Sequence, residues 1–148
     1  MTYSTTDLMK IAVEEHLKCS EFPRVGAAIA KNGKLLSTGH RGETKGMHAE
    51  RIAIQKLSRE DLEGSTLYTT LEPCVELHGD QDVESCADLI VRVGIKDVFI
   101  GVLDPNGTIY SQGFKRLVEN SVSVDLLGLV ETVIPRGWQV AGLGGVAA

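Results

Sequence analysis

Thr66-Leu67-Tyr68-Thr69-Thr70-Leu71-Glu72-Pro73-Cys74 is the stretch on which the reading of this chain turns. Its first six residues are β-branched, aromatic or aliphatic, which suits a pleated, largely buried strand. Pro73 cannot donate to the ladder, so the strand stops and delivers Cys74 at its C-terminal end. Sites in α/β sheets lie beyond the carboxyl ends of strands, where this thiol falls.

Downstream, Val75 to Glu84 is a polar loop, and Ser85-Cys86-Ala87-Asp88 has the form of a capping box. Leu89, Ile90 and Val93 follow and Gly94 stops the pattern, so Cys86 opens a helix. Its thiol there sees the helix dipole, which favours the thiolate a metal needs. Asp97 to Val102 reads as the next strand, Asp104-Pro105-Asn106-Gly107 as a turn, Phe114, Leu117 and Val118 as a short helix, and Val122 to Leu127 as a last strand.

Upstream, Ala49, Ile52, Ala53 and Leu57 have helical spacing, which puts His48 and Glu50 of Met47-His48-Ala49-Glu50 in a helix's first turn. Cβ atoms tilt toward a helix's N-terminus, so side chains of a first turn can reach one point beyond its end. Gly39 to Gly46 is the loop leading there. Before it, Val25 to Ala30 is a buried strand, Asn32-Gly33 a two-residue hairpin turn, and Leu35 to Ser37 the antiparallel return. A first helix capped by Thr5 or Thr6 carries Leu8, Ile11, Ala12 and Leu17, and Cys19 to Arg24 is a loop. Helices alternating with apolar strands make an α/β fold, a three-layer α/β/α sandwich around a mixed five-stranded sheet.

A chain of 148 residues with 43% hydrophobic and 24% charged residues fills one core. We expect a domain over residues 1–134 and a Gly/Ala-rich tail over 135–148, holding the only Trp, Trp138, as either a docking segment between subunits or a loose end. The net charge of −5 argues against nucleic acid as a partner, since that binding needs clustered Lys and Arg. Met1 to Asp7 is polar, with no h-region after it and no run of about 20 apolar residues anywhere, so no membrane partner is expected. Three cysteines do not suit a secreted disulfide framework, and cytoplasmic residence is the expectation.

His48, Cys74 and Cys86 offer one imidazole and two thiolates, a tripod that leaves zinc a fourth tetrahedral position for water. Zinc lowers the pKa of such a water to roughly 7, so hydroxide attack becomes possible at neutral pH. Glu50 would take the water's proton and pass it on to a ring nitrogen and a leaving amine. Singly each piece has a bland reading: a chance His-Ala-Glu in a helix, a Pro-Cys ending a strand, a core Cys. Together, each at an element end, they point to a metal.

These motifs resemble the zinc-dependent cytidine deaminase superfamily, and more narrowly the pyrimidine deaminase domain of riboflavin biosynthesis. His48-Ala49-Glu50 and Thr70-Leu71-Glu72-Pro73-Cys74 carry the superfamily likeness. Val25-Gly26, His78-Gly79, Cys86-Ala87-Asp88, Gly94-Ile95 and Asp104-Pro105-Asn106 carry the narrower one, over about residues 8 to 130. The resemblance implies a homodimer or homotetramer and a riboflavin-pathway-like diaminopyrimidine as substrate. Two departures stand out. Eleven residues separate Cys74 from Cys86, more than in that branch, and Phe22 stands where the branch has an Asn before its Pro-x-Val-Gly.

The expected activity is hydrolytic removal of an exocyclic amine from an aminopyrimidine-type ring, with zinc on His48, Cys74 and Cys86 and Glu50 as proton shuttle. Backbone around Ala49 and Pro73 would orient the ring. His78 either touches substrate or is a solvated loop histidine, and Arg41 and Lys45 either hold a substrate phosphate or form a solvated surface. The alternatives are a cytidine, deoxycytidylate or free-nucleobase deaminase; a noncatalytic domain whose zinc is closed by His78 or Cys19; and a degenerate subunit serving a partner enzyme. The Arg41, Lys45, Arg51 cluster is the sole feature favouring a nucleic acid substrate.

Overall fold

Asn32 and Gly33 have φ of 54° and 75°, the left-handed pair that a two-residue hairpin turn needs, and they join β1 (Gly26–Lys31) to β2 (Lys34–His40). The computed structural model describes residues 2–75, 84–104 and 111–128. Around that hairpin the chain adds β3 (Thr66–Leu71), β4 (Asp97–Val102) and β5 (Ser123–Leu126) in the order β2-β1-β3-β4-β5. β1 is antiparallel to both neighbours, while β3, β4 and β5 run parallel, so the five-stranded sheet is mixed.

Helices cover both faces because strand side chains alternate. α1 (Thr5–His16) buries Leu8, Met9, Ala12 and Val13 against Ala28, Ala30 and Tyr68. The opposite face is the larger core. There α2 (Ala49–Gln55), α4 (Cys86–Val93) and α5 (Gln112–Glu119) pack Ala53, Ile90 and Leu117 with Ala27, Ile29, Leu67, Val98 and Ile100. This is the three-layer α/β/α arrangement expected, and each fully buried Leu or Ile in it contributes about 1.5–3 kcal/mol.

Several local expectations are corrected. Ser4, not Thr5 or Thr6, caps α1, since Asp7 three residues on completes a capping box with it. The buried stripe of α1 runs through Met9 and Val13 beside Leu8 and Ala12, whereas Leu17 is the C-cap and 40% exposed. Gly39 and His40 belong to β2 rather than to a loop, and the approach of α2 explains the glycine: a Cβ there would lie 2.6 Å from the Ala49 carbonyl oxygen. A short helix, α3 (Arg59–Leu62), capped by Ser58, intervenes between α2 and β3. The strand at 66–71, the strand at 97–102 and the helix opened by Cys86 and stopped at Gly94 stand as read. His78, the turn beyond Asp104, and the tail with Trp138 lie outside the described residues.

Candidate metal centre

Three elements converge on one point. His48 is the N-cap residue of α2, with extended backbone (φ −75°, ψ 153°) and no side-chain cap bond, so its ring is turned to other work. Gly39 lets α2 sit close on β2, which sets the height of that N-terminus above the sheet. β3 ends at Leu71 and carries Cys74 out past Pro73. α4 begins at Cys86, capped by the Ser85 hydroxyl accepting from the Asp88 N–H. Arg51 on α2 donates to the Glu84 carbonyl, tying the two helix starts together.

The eleven-residue separation in sequence disappears in space. The Cys86 N–H donates to Cys74 Sγ at 3.4 Å, and the Ala87 N–H donates to the Cys74 carbonyl at 3.0 Å. His48 Nδ1 lies 3.6 Å from Cys74 Sγ and 3.5 Å from Cys86 Sγ, and the three donor atoms all fall within 4.8 Å of one another. One imidazole nitrogen and two sulfurs at the end of a strand and the starts of two helices fit zinc, which takes N and S donors tetrahedrally. Cys19 is no fourth donor: its thiol is buried and donates to the Val25 carbonyl at 3.2 Å.

Electrostatics agree with this assignment. A hydrogen bond from the Cys86 thiol, aided by His48, holds the Cys74 thiol well below the usual range, and the same shared proton together with burial pushes Cys86 up. The bond to Cys74 likewise raises His48, against the effect of burial. A metal ion would displace the proton this group shares. Glu50, 4% exposed, has its carboxyl pushed above the usual range by burial and by the Cys74 sulfur, with His48 opposing. The Thr69 hydroxyl lies 3.4 Å from its Oε1. A buried carboxyl beside the reacting groups is placed to take up a proton and give it back.

A cavity of about 450 Å³ opens on these groups, within the usual size range for a small-molecule site. His48, Glu50, Cys74 and Arg41 line it, joined by Pro23, Val25, Glu72 and Asp104. Of the residues singled out from sequence, Ala49 and Pro73 are buried and do not line it, and Lys45 is exposed in the preceding loop. Sequence reasoning passed over Glu72 and Asp104 as site residues. The signal for Glu72 was a carboxylate directly following an uncharged, β-rich run that reads as largely buried.

A second group of potential ligands, Glu15, His40 and Glu43, is equally compact, with its ligand atoms also within 4.8 Å of one another. Its charges are already matched. Lys18 pairs with Glu15, Lys56 Nζ reaches Glu43 at 2.7 Å, and His40 Nδ1 lies 3.3 Å from both carboxylates.

Residues 3–102 match the family model of the cytidine and deoxycytidylate deaminase zinc-binding region. The chain is 43% identical over 102 residues to the riboflavin biosynthesis protein RibD of Actinobacillus pleuropneumoniae, a match covering 69% of this chain and 26% of that protein. It is 33% identical over 121 residues to the diaminohydroxyphosphoribosylamino-pyrimidine deaminase of Buchnera aphidicola subsp. Schizaphis graminum, covering 82% of this chain and 80% of that one. Among solved structures, Acinetobacter baumannii RibD superimposes with a TM-score of 0.72 at 27% identity, covering 81% of this chain and 34% of that one. The chain thus spans about a quarter of the length of the RibD proteins it matches in sequence. No helix among the described residues is long and apolar enough to cross a membrane.

Proposed function

Because this chain belongs to the cytidine and deoxycytidylate deaminase zinc-binding family, we propose that it is a hydrolytic deaminase of an aminopyrimidine carrying a phosphoribosyl group. The observation that carries this reading is that His48, Cys74 and Cys86 bring their donor atoms together at the edge of a cavity whose wall includes His48, Cys74, Glu50 and Arg41. His48, Cys74 and Cys86 hold zinc. When bound there, zinc activates a water for attack on the ring carbon at neutral pH.

The chain's own residues do the rest. Glu50 accepts a proton as the new C–O bond forms, gives it to the ring nitrogen, and carries a second proton to the amine as the C–N bond breaks and ammonia leaves. The Thr69 hydroxyl on β3, which donates to the Leu71 carbonyl at 2.9 Å, lies beside Glu50. Arg41 supplies a positive charge within the cavity wall for the substrate's phosphate, and its Nε has no hydrogen-bond partner among the described residues. Lys45, exposed in the loop before α2, would add a second positive charge at the outer rim of this surface.

The assembly we propose is a homodimer or homotetramer, and Leu17, Phe22, Val118 and Leu126 are the exposed large apolar side chains available to it among the described residues. The decisive experiment is ammonia release from diaminohydroxyphosphoribosylaminopyrimidine, cytidine, deoxycytidylate and free bases, comparing zinc-loaded native protein with Glu50→Gln. Turnover of the first compound alone supports the reading. Preference for deoxycytidylate moves the substrate to the other branch of the family, and turnover of nothing by a zinc-replete protein overturns deamination.

A further inference from the structure

Glu72 is buried, 4% exposed, yet no cation pairs with it among the described residues. Its carboxylate is instead spent on backbone. Oε1 accepts from the Asp104 N–H at 2.9 Å and from the Ser111 N–H at 3.1 Å, and Oε2 accepts from the Phe114 N–H at 2.8 Å. These donors lie 32, 39 and 42 residues along the chain.

The pattern does two things at once. Ser111, the N-cap of α5, makes no side-chain cap bond, and its φ of 60° turns it away from the usual capping geometry. Glu72 takes over that role from another element, accepting the N–H groups of the cap residue Ser111 and of Phe114, the third residue of α5, and setting a negative charge at the helix's positive end. The same oxygen that holds Ser111 also holds Asp104, two residues past the end of β4 and part of the cavity wall. α5 is pressed onto the same spot: a Cβ at Gly113 would lie 2.1 Å from the Pro73 carbonyl oxygen and 3.0 Å from Glu72 Cγ.

We propose that Glu72 is a positioning residue for substrate binding: it clamps the wall after β4 to the turn that carries Cys74, so that Asp104 and the start of α5 keep a fixed distance from the metal site. This rests on the cavity being the substrate pocket proposed above. Glu72 itself leaves the metal and the reacting atoms alone.

Glu72→Gln tests it, because the amide keeps the shape but turns an N–H₂ toward N–H donors. In the zinc-loaded variant, amide hydrogen exchange at Asp104, Ser111 and Phe114 speeds by about tenfold or more while that of Ala87 is unchanged. Zinc content and the visible spectrum of the cobalt(II)-substituted protein stay as in the native protein. KM for diaminohydroxyphosphoribosylaminopyrimidine rises about tenfold and kcat moves by less than about threefold. Gly113→Ala, which pushes α5 off Pro73 with Glu72 intact, loosens the same amides and carries the test if the first variant does not fold. Unchanged exchange at the three amides overturns the proposal. So does an altered cobalt spectrum, or a fall in kcat at unchanged KM, since either would assign Glu72 to the metal or the reaction. If the native protein does not deaminate this compound, the substrate reading fails, and the exchange and cobalt results alone decide the clamp.

Discussion

Among the described residues there are two clusters of potential metal ligands whose ligand atoms lie within 4.8 Å of one another, and they differ in chemistry and surroundings. Glu15, His40 and Glu43 are hard oxygen donors and an imidazole whose charges are met by Lys18 and Lys56. His48, Cys74 and Cys86 offer an imidazole and soft sulfur, have one another as their partners, and stand at a cavity whose wall includes His48 and Cys74. Closeness of ligands therefore does not make a metal site. What distinguishes one is a shortage of protein counter-charge, a donor set matched to an ion, and access for substrate. The boundary between the clusters is one peptide wide: His40, ending β2, points to α1 and its Glu15, while the next residue, Arg41, lines the cavity.

The contrast is broken most severely by removing sulfur. Cys74→Ser or Cys86→Ser should lower zinc affinity by at least about 100-fold and abolish deamination, measured by metal analysis after dialysis and by ammonia release. His40→Ala should leave zinc content unchanged; loss of a second zinc equivalent in it would make the two clusters equals. Glu50→Gln should retain zinc while kcat falls by about 10²–10⁴, separating the proton carrier from the ligands. Arg41→Ala should raise KM for a phosphorylated substrate by about tenfold, with little change in kcat and none for a substrate lacking the phosphate.

The smallest effect belongs to the charge cluster. Burial raises the Glu15 carboxyl, but hydrogen bonds from Lys18 and His40 outweigh it and hold the group below its usual range. A folded pKa below the unfolded one means that the stabilisation is fully present above the unfolded value, near 4.3, and is lost as pH falls through the folded value. Glu15→Gln should therefore cost about 1 kcal/mol at pH 7, read from denaturant midpoints, and the gap to native protein should close in acid. Activity at pH 7 should not change.

Local chemistry made much of this legible. The β-rich run ending at Pro73, the Asn32-Gly33 turn and the box opened by Ser85 each state their own structure within a few residues. Errors came where local signals compete. Ser4, Thr5 and Thr6 can all cap a helix, and Asp7 decides for Ser4 because the reciprocal bond needs an acid three residues on. Leu17 matched a helical spacing, yet Met9 and Val13 fill that face and α1 has ended before Leu17. α3 was missed although the Ser58 hydroxyl caps it by accepting from the Asp61 N–H, because four residues are too few to show a period.

By itself the sequence determined which atoms are available: a histidine and a carboxylate at one helix start, a thiol after a strand, a thiol opening another helix. Donor type and element ends are local properties, so they are readable from residues and spacing. Only the tertiary structure decided that Cys74 and Cys86 meet across eleven intervening residues, that lysines neutralise the rival cluster, and that Glu72 spends its charge on amides up to 42 residues away. Those outcomes depend on which faces the sheet and helices bury together, a property of the packed chain as a whole.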